Sequence, residues 1–191
     1  MALTREQVVR TAVGILSDFG LGDLSMRRLA RELDVQVGAL YWHVKNKQEL
    51  LVDVAAQLLR DIGAEPTPVG APRDAIKRLA GAIRAALVPV PDSAEVVQLA
   101  QTMQPAALAP LTLLRDLLEE SGVPADRAAW AQHLLLNHIL GSVAAHQNRT
   151  TLDALEAVGG PDLGEAAFAW GVGAILDGVL GRPMEPLPHT A

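Results

Sequence analysis

Cysteine is absent from this chain of 191 residues. That excludes a disulfide framework and any thiolate metal site. Aromatic residues are scarce: three tryptophans, one tyrosine and two phenylalanines make up 3% of the sequence. No apolar run approaches the roughly 20 residues that a membrane-spanning helix needs. No export leader is expected, since Leu3-Thr4-Arg5-Glu6 passes straight into an amphipathic pattern. A cytoplasmic protein without a membrane partner is expected. Basic charge is also in short supply. The formal net charge is −6, which argues against nucleic-acid binding over the whole surface. Nucleophile–base pairings, Gly-rich phosphate loops and the Glu-x-x-His arrangement of di-iron sites are missing as well. No enzyme and no cofactor are expected. His133 and His138 are five apart and His146 is eight further on. A helical two-histidine metal site needs a spacing of three or four, so no metal is expected.

Half of the residues are apolar, enough for a sizeable core. Ala and Leu dominate, which favours helix over strand. The charge is unevenly spread. Residues 1–60 carry eight Lys+Arg against seven Asp+Glu, whereas residues 61–191 carry eight against fifteen. Within 24–47, Arg27, Arg28, Arg31, Lys45 and Lys47 face only Glu32 and Asp34. A small basic patch on an acidic body suits a local contact with DNA.

Thr4 and Gln7 form a capping box that starts a first helix. Val8, Ala12, Leu16 and Phe19 give it a buried face, and Gly20 and Gly22 end it. Ser25 caps a second helix, buried through Leu29, Ala30 and Leu33. Asp34 falls at a tight turn. A third helix is expected over 36–43. Asn46 and Glu49 form a second capping box before a fourth helix with the stripe Leu50, Leu51, Val54, Leu58, Leu59. Two short helices joined by a tight turn are helix-turn-helix geometry, whose second helix shows its N-terminal residues to base edges. Residues 61–73, rich in Pro and Gly, read as a hinge. Further helices are expected at 74–88, 93–103, 107–121, 125–147 and 164–181, with an extended tail over 182–191. The fold class is all-α: a DNA-binding domain at 4–60 and a second helical domain at 74–181.

The segment Leu40-Tyr41-Trp42-His43-Val44-Lys45-Asn46-Lys47 resembles the tetracycline-repressor (TetR) family of regulators, at the end of the recognition helix and the start of the fourth helix. Residues 24–35 resemble the same family's first motif helix and turn. The likeness is dense over 4–60 and returns as echoes at 138–143 and 168–172. It implies a repressor that binds a palindromic double-stranded operator as a homodimer and is released by a small-molecule effector. It implies DNA contacts by Arg27, by Gln36, Val37, Gly38 and Ala39, and by Tyr41, Trp42, His43 and Lys47. Aromatic rings can pack on sugars and thymine methyls, and Arg27 can take a guanine edge. Lys47 opposes the macrodipole at a helix start, so a phosphate is the reason to expect it there. Where the family's founding repressor presents glutamine, proline and threonine, this chain has Val37, Gly38 and Ala39, so base readout must differ.

The resemblance also implies an effector pocket in the second domain. The founding repressor holds a drug–magnesium chelate through polar and aromatic side chains. The matching places here are Gly63, Leu79, Ile83, Val97 and about Gln101. With those donors gone, an apolar effector other than tetracycline is expected. Candidate lining residues are Leu79, Ile83, Val97, Gln101, Met103, Leu114, Trp130, His133, Leu134 and Asn137. The dimer interface is expected at Leu135, Ile139, Ser142, Phe168, Gly171, Val172, Ile175 and Val179, forming a four-helix bundle with the partner copy. The alternatives are an all-α enzyme, or a small-molecule-binding protein with a vestigial helix-turn-helix. A gel shift separates them.

Overall fold

A computed structural model describes residues 3–63, 71–154 and 164–181, all helices and turns with no strand among them. Residues 64–70 of the expected hinge and the tail from 182 lie outside the described residues. The helices are α1 (Arg5–Phe19), α2 (Met26–Glu32), α3 (Val37–Leu40), α4 (Lys47–Leu58), α5 (Pro72–Leu87), α6 (Ser93–Met103), α7 (Ala109–Glu120), α8 (Ala125–Ala154) and α9 (Glu165–Leu180). A 3₁₀ turn at Pro105–Ala107 leads into α7.

The starts of the first helices follow their caps. Thr4 Oγ1 accepts the Gln7 amide at 3.2 Å while Gln7 Oε1 accepts the Thr4 amide at 2.9 Å. Ser25 Oγ accepts the Arg28 amide, and Asn46 Oδ1 accepts the Glu49 amide at 2.8 Å. Such caps satisfy helix amides that have no intrahelical acceptor. The second capping box closes only in part. Glu49 does not return to Asn46; its carboxylate accepts the Lys45 amide, one residue earlier, at 3.1 Å. Asp34 turns the chain with φ 53°, the left-handed conformation that Asp tolerates better than most residues. The third helix is shorter than expected: α3 stops at Leu40, and Tyr41–His43 continue as a turn whose His43 and Val44 amides donate to Leu40 O.

Val8, Ala12 and Leu16 of α1, Leu29 of α2, Leu40 of α3 and Leu50 and Val54 of α4 are fully buried. Phe19 departs from the expected face. It is 54% exposed, and the Arg28 guanidinium lies 3.8 Å above its ring. α4 packs against α1 on one side and α6 on the other, joining the N-terminal helices to the rest. There α5, α7, α8 and α9 bury Ile76, Ile83, Leu114, Leu135, Ile139 and Leu176. The carbonyls at and just beyond the C-terminus of α5 are met by polar side chains: Ser93 Oγ donates to Leu87 O at 2.7 Å, and Gln147 Nε2 donates to Val90 O at 2.7 Å. α8 runs past its expected end at 147 to Ala154, since no Gly or Pro interrupts 142–158.

Candidate nucleic-acid interface

α2 and α3 are short, and both are seated by leucines that vanish into the core, Leu29 and Leu40. What remains outside is a compact set. Arg27 is exposed at the start of α2. Gln36 is the N-cap of α3, exposed and making no capping bond with its amide, so that side chain is free to meet a base edge. Gly38 is exposed, and Val37 and Ala39 are half-buried. Beyond α3, Val44 is buried and plugs the turn, while Tyr41 is 52% and Trp42 is 90% exposed. Together they put two adjacent aromatic side chains in water beside the exposed Gln36 and Arg27. His43 and Lys47 are half-buried beside them.

Not every cation of this region is available. Arg28 is taken by Asp23 and by the Phe19 ring. Arg5 is taken by Glu49 and Asp53, both at 2.8 Å. Arg27, Arg31, Lys45 and Lys47 make no ion pair with the described residues; the first three are exposed and Lys47 is half-buried. Arg31 and Lys45 are additions to the residues expected from the sequence. Both were legible in the basic patch of residues 24–47; Arg31 stands one turn beyond Arg27 on the same helical face, and exposed Lys45 lies in the turn before α4. Burial opposes the charge of Arg5, but the hydrogen bond it donates to Glu49 and the charges of Asp53 and Glu49 outweigh it and raise its pKa. The two carboxylates shift in opposite directions. The Lys45 amide, then Arg5, hold Glu49 below the usual range, whereas desolvation, only partly offset by Arg5, pushes Asp53 up.

Residues 8–54 match the bacterial regulatory proteins of the tetR family, and residues 66–167 match the tetracyclin repressor-like C-terminal domain. The chain belongs to the tetR family. It is therefore a DNA-binding transcriptional regulator of that family. The class C tetracycline repressor of Escherichia coli is 48% identical over 66 residues, 35% of this chain but only 30% of that protein. The class G repressor of Vibrio anguillarum is 32% identical over 168 residues, 86% of this chain and 78% of its own length. Among solved structures, Mycobacterium smegmatis BioQ superposes with a TM-score of 0.83 at 36% identity, covering 94% of this chain and 99% of its own. BioQ solved with its double-stranded DNA operator gives 0.79 at 33% identity, covering 95% and 100%.

In this tetR-family chain the C-terminal residues fall differently from expectation. Leu79, Ile83, Val97 and Leu114 are buried together in the α5–α8 core, and Gln101 has a buried side-chain oxygen without a partner among the described residues. Trp130, His133, Leu134 and Asn137 do not join them. They form one exposed stripe on the outside of α8. Met103 borders a hollow of about 360 Å³ that it shares with Arg5, Lys45, Glu49, Asp53 and Gln104.

Four of the eight residues expected at a dimer interface are turned inward, and the other four are half-buried. Leu135, Ile139, Phe168 and Val172 are buried within the protomer. Ser142 accepts Arg84 Nε at 2.8 Å. Gly171 is roofed by the His138 ring, so that a Cβ there would collide with it. His138 in turn stacks on Phe168 at 5.3 Å and reaches Phe168 O at 3.1 Å. Ile175 and Val179 are half-buried. The physical reason is that α8 carries Leu134-Leu135-Leu136 in succession and α9 is apolar nearly all round, so neither pattern marks an inner face. No group of three or more His, Asp or Glu among the described residues could hold a metal, and no described helix is long and apolar enough to cross a membrane.

Proposed function

We propose that this protein is a transcriptional repressor that grips a palindromic operator as a homodimer and lets go when a small molecule other than tetracycline binds. Residues 4–60 are the reading head, and 74–181 are the body that dimerises and takes the effector. One observation carries the DNA-binding part: the set Arg27, Gln36, Tyr41, Trp42 and Lys47 on a head where Arg5 and Arg28 are already neutralised while Arg27, Arg31, Lys45 and Lys47 are not. Likeness to BioQ, solved on its own operator, supports the same reading. Phosphate contacts fall to the lysines and base edges to Arg27 and Gln36.

The homodimer rests on exposed apolar residues of α8 and α9. Trp130, Leu134 and Trp170 stand out of the protomer, Trp170 by 76%. Small residues Gly141, Ala166 and Ala174 lie exposed on the same helices, and small residues let two copies approach closely. Two half-sites call for two heads, which a twofold axis supplies.

Against tetracycline stands the chemistry of the core. Gly63 supplies no ligand, and with φ 76° and Leu113 Cδ2 2.7 Å from where a Cβ would stand, a side chain there would be strained and would have to displace Leu113. Leu79, Ile83 and Val97 offer no donor to a chelated metal or to drug oxygens. A gel shift on the DNA flanking the protein's own coding sequence, titrated across salt, tests the whole reading. Salt-dependent cognate binding supports it, and indifference to every DNA offered would leave a vestigial head.

A further inference from the structure

We propose that Arg5, which stands on the first turn of α1 outside the helix-turn-helix, is a positioning residue for operator binding: it holds the aromatic turn Tyr41–Lys45 in the geometry that DNA meets. This rests on the DNA-binding reading above. The turn needs holding. α3 ends at Leu40 and α4 begins at Lys47, so the exposed aromatics Tyr41 and Trp42 hang from backbone outside both helices. From within, that backbone is fixed by the His43 and Val44 amides on Leu40 O and by the buried Val44. From outside, it is fixed by one guanidinium and one carboxylate. Arg5 Nη1 donates to His43 O at 2.8 Å. Arg5 Nη2 donates to Glu49 Oε1 at 2.8 Å, and the other oxygen of Glu49 accepts the Lys45 amide at 3.1 Å. The contacts close a ring: His43 carbonyl, Arg5, Glu49, Lys45 amide and back along the chain. Arg5 Nε donates to Asp53 at 2.9 Å, one turn further along α4, and sets the plane of the fork.

Three acceptors on three nitrogens use the guanidinium as a rigid fork, a geometry that an ammonium cannot reproduce. Arg5 is itself half exposed, and exposed ion pairs contribute little to stability. Its contribution is to shape more than to folding, and the side chain it serves is one position away: Trp42, at 90% exposure, precedes the clamped His43 carbonyl. Each of the three guanidinium nitrogens already serves an acceptor within the head, so a phosphate could take only the remaining N–H groups, the alternative that the salt slope tests.

The test is operator binding by the full chain over a range of salt, comparing wild type, Arg5→Ala, Arg5→Lys, Trp42→Ala and the double variant Arg5→Ala/Trp42→Ala. Arg5→Ala is expected to weaken cognate binding about tenfold, the order expected for losing charge-assisted hydrogen bonds, with the salt slope unchanged and the melting temperature nearly so. Arg5→Lys should recover part of the affinity. In the Trp42→Ala background, Arg5→Ala should lose most of its effect, since residues that act through one another are non-additive. A salt slope lower by about one unit would make Arg5 a phosphate contact and overturn the proposal. So would full additivity with Trp42→Ala, or unchanged affinity in a wild type that binds. If wild type itself ignores DNA, it is the DNA-binding reading that falls.

Discussion

The Asp92 carboxylate accepts the Leu21 amide at 2.7 Å. Two residues far apart in the chain thereby join the corner after α1 to the turn before α6, a second tie between head and body besides the packing of α4 on α6. Asp92 holds φ 57° to do so, and Gly20 beside it holds φ 76° and ψ 178°. That combination is open essentially to glycine alone, and a Cβ at Gly20 would meet Asp92 Oδ2 at 2.8 Å. Gly20→Ala should destabilise the protein by about 1–3 kcal/mol, read as a lower melting temperature. In an Asp92→Ala background the penalty should shrink, because the collision is gone while the strained φ remains. Equal penalties in both backgrounds would assign the whole effect to φ.

Lys47→Ala should weaken binding to cognate and random DNA alike and lower the salt slope by about one unit. Arg27→Ala and Gln36→Ala should instead cost about 1–3 kcal/mol on the cognate site and relax discrimination at one base pair per half-site. Equal loss on random DNA would reduce Arg27 and Gln36 to backbone contacts.

Sedimentation of the protein without DNA should show about twice the chain mass of 20.2 kDa. Trp170→Glu or Leu134→Glu should give folded monomers, since both side chains stand outside the protomer. Gly171→Asp should instead unfold the protein, because the space above Gly171 is filled by the protomer's own His138. A folded monomer from Gly171→Asp would put that glycine at the interface after all.

Acid should weaken the head through Glu49. Its folded pKa is depressed, so its stabilising contribution is complete above the ordinary carboxylate value of about 4.3 and fades as pH falls through the lower folded value. Asp53 acts the other way, since its raised pKa makes protonation favour the folded state. Glu49→Gln should flatten the loss of stability on acidification, and Asp53→Asn should steepen it. Melting curves between pH 3 and 7 read both, and identical profiles for the two variants would refute the assignment.

Tetracycline with magnesium should not release the protein from its operator, whereas some more apolar compounds should. A ligand without differential affinity for the released state shifts nothing. Release by tetracycline at micromolar levels in a gel shift would show that Gly63, Leu79 and Val97 are not the places where the drug's anchors would sit.

The sequence alone determined the head. Thr4, Ser25 and Asn46 are caps whose partners lie three residues away, and Leu29, Leu40 and Leu50 each mark one inner face. Local hydrogen bonds and single-sided periodicity are properties of short stretches of chain, so they can be read without knowing the fold. The exposed aromatic turn was legible too, because aromatics are rare elsewhere in this chain. Only tertiary structure decided the rest. Arg5 and His43, or Asp92 and Leu21, meet across tens of residues, and no spacing rule predicts such pairs. α8 and α9 are apolar on several sides, so which leucine goes in and which tryptophan stays out depends on where α5 and α7 pack. Burial on a helix that is hydrophobic all round is settled by its neighbours, not by its own sequence.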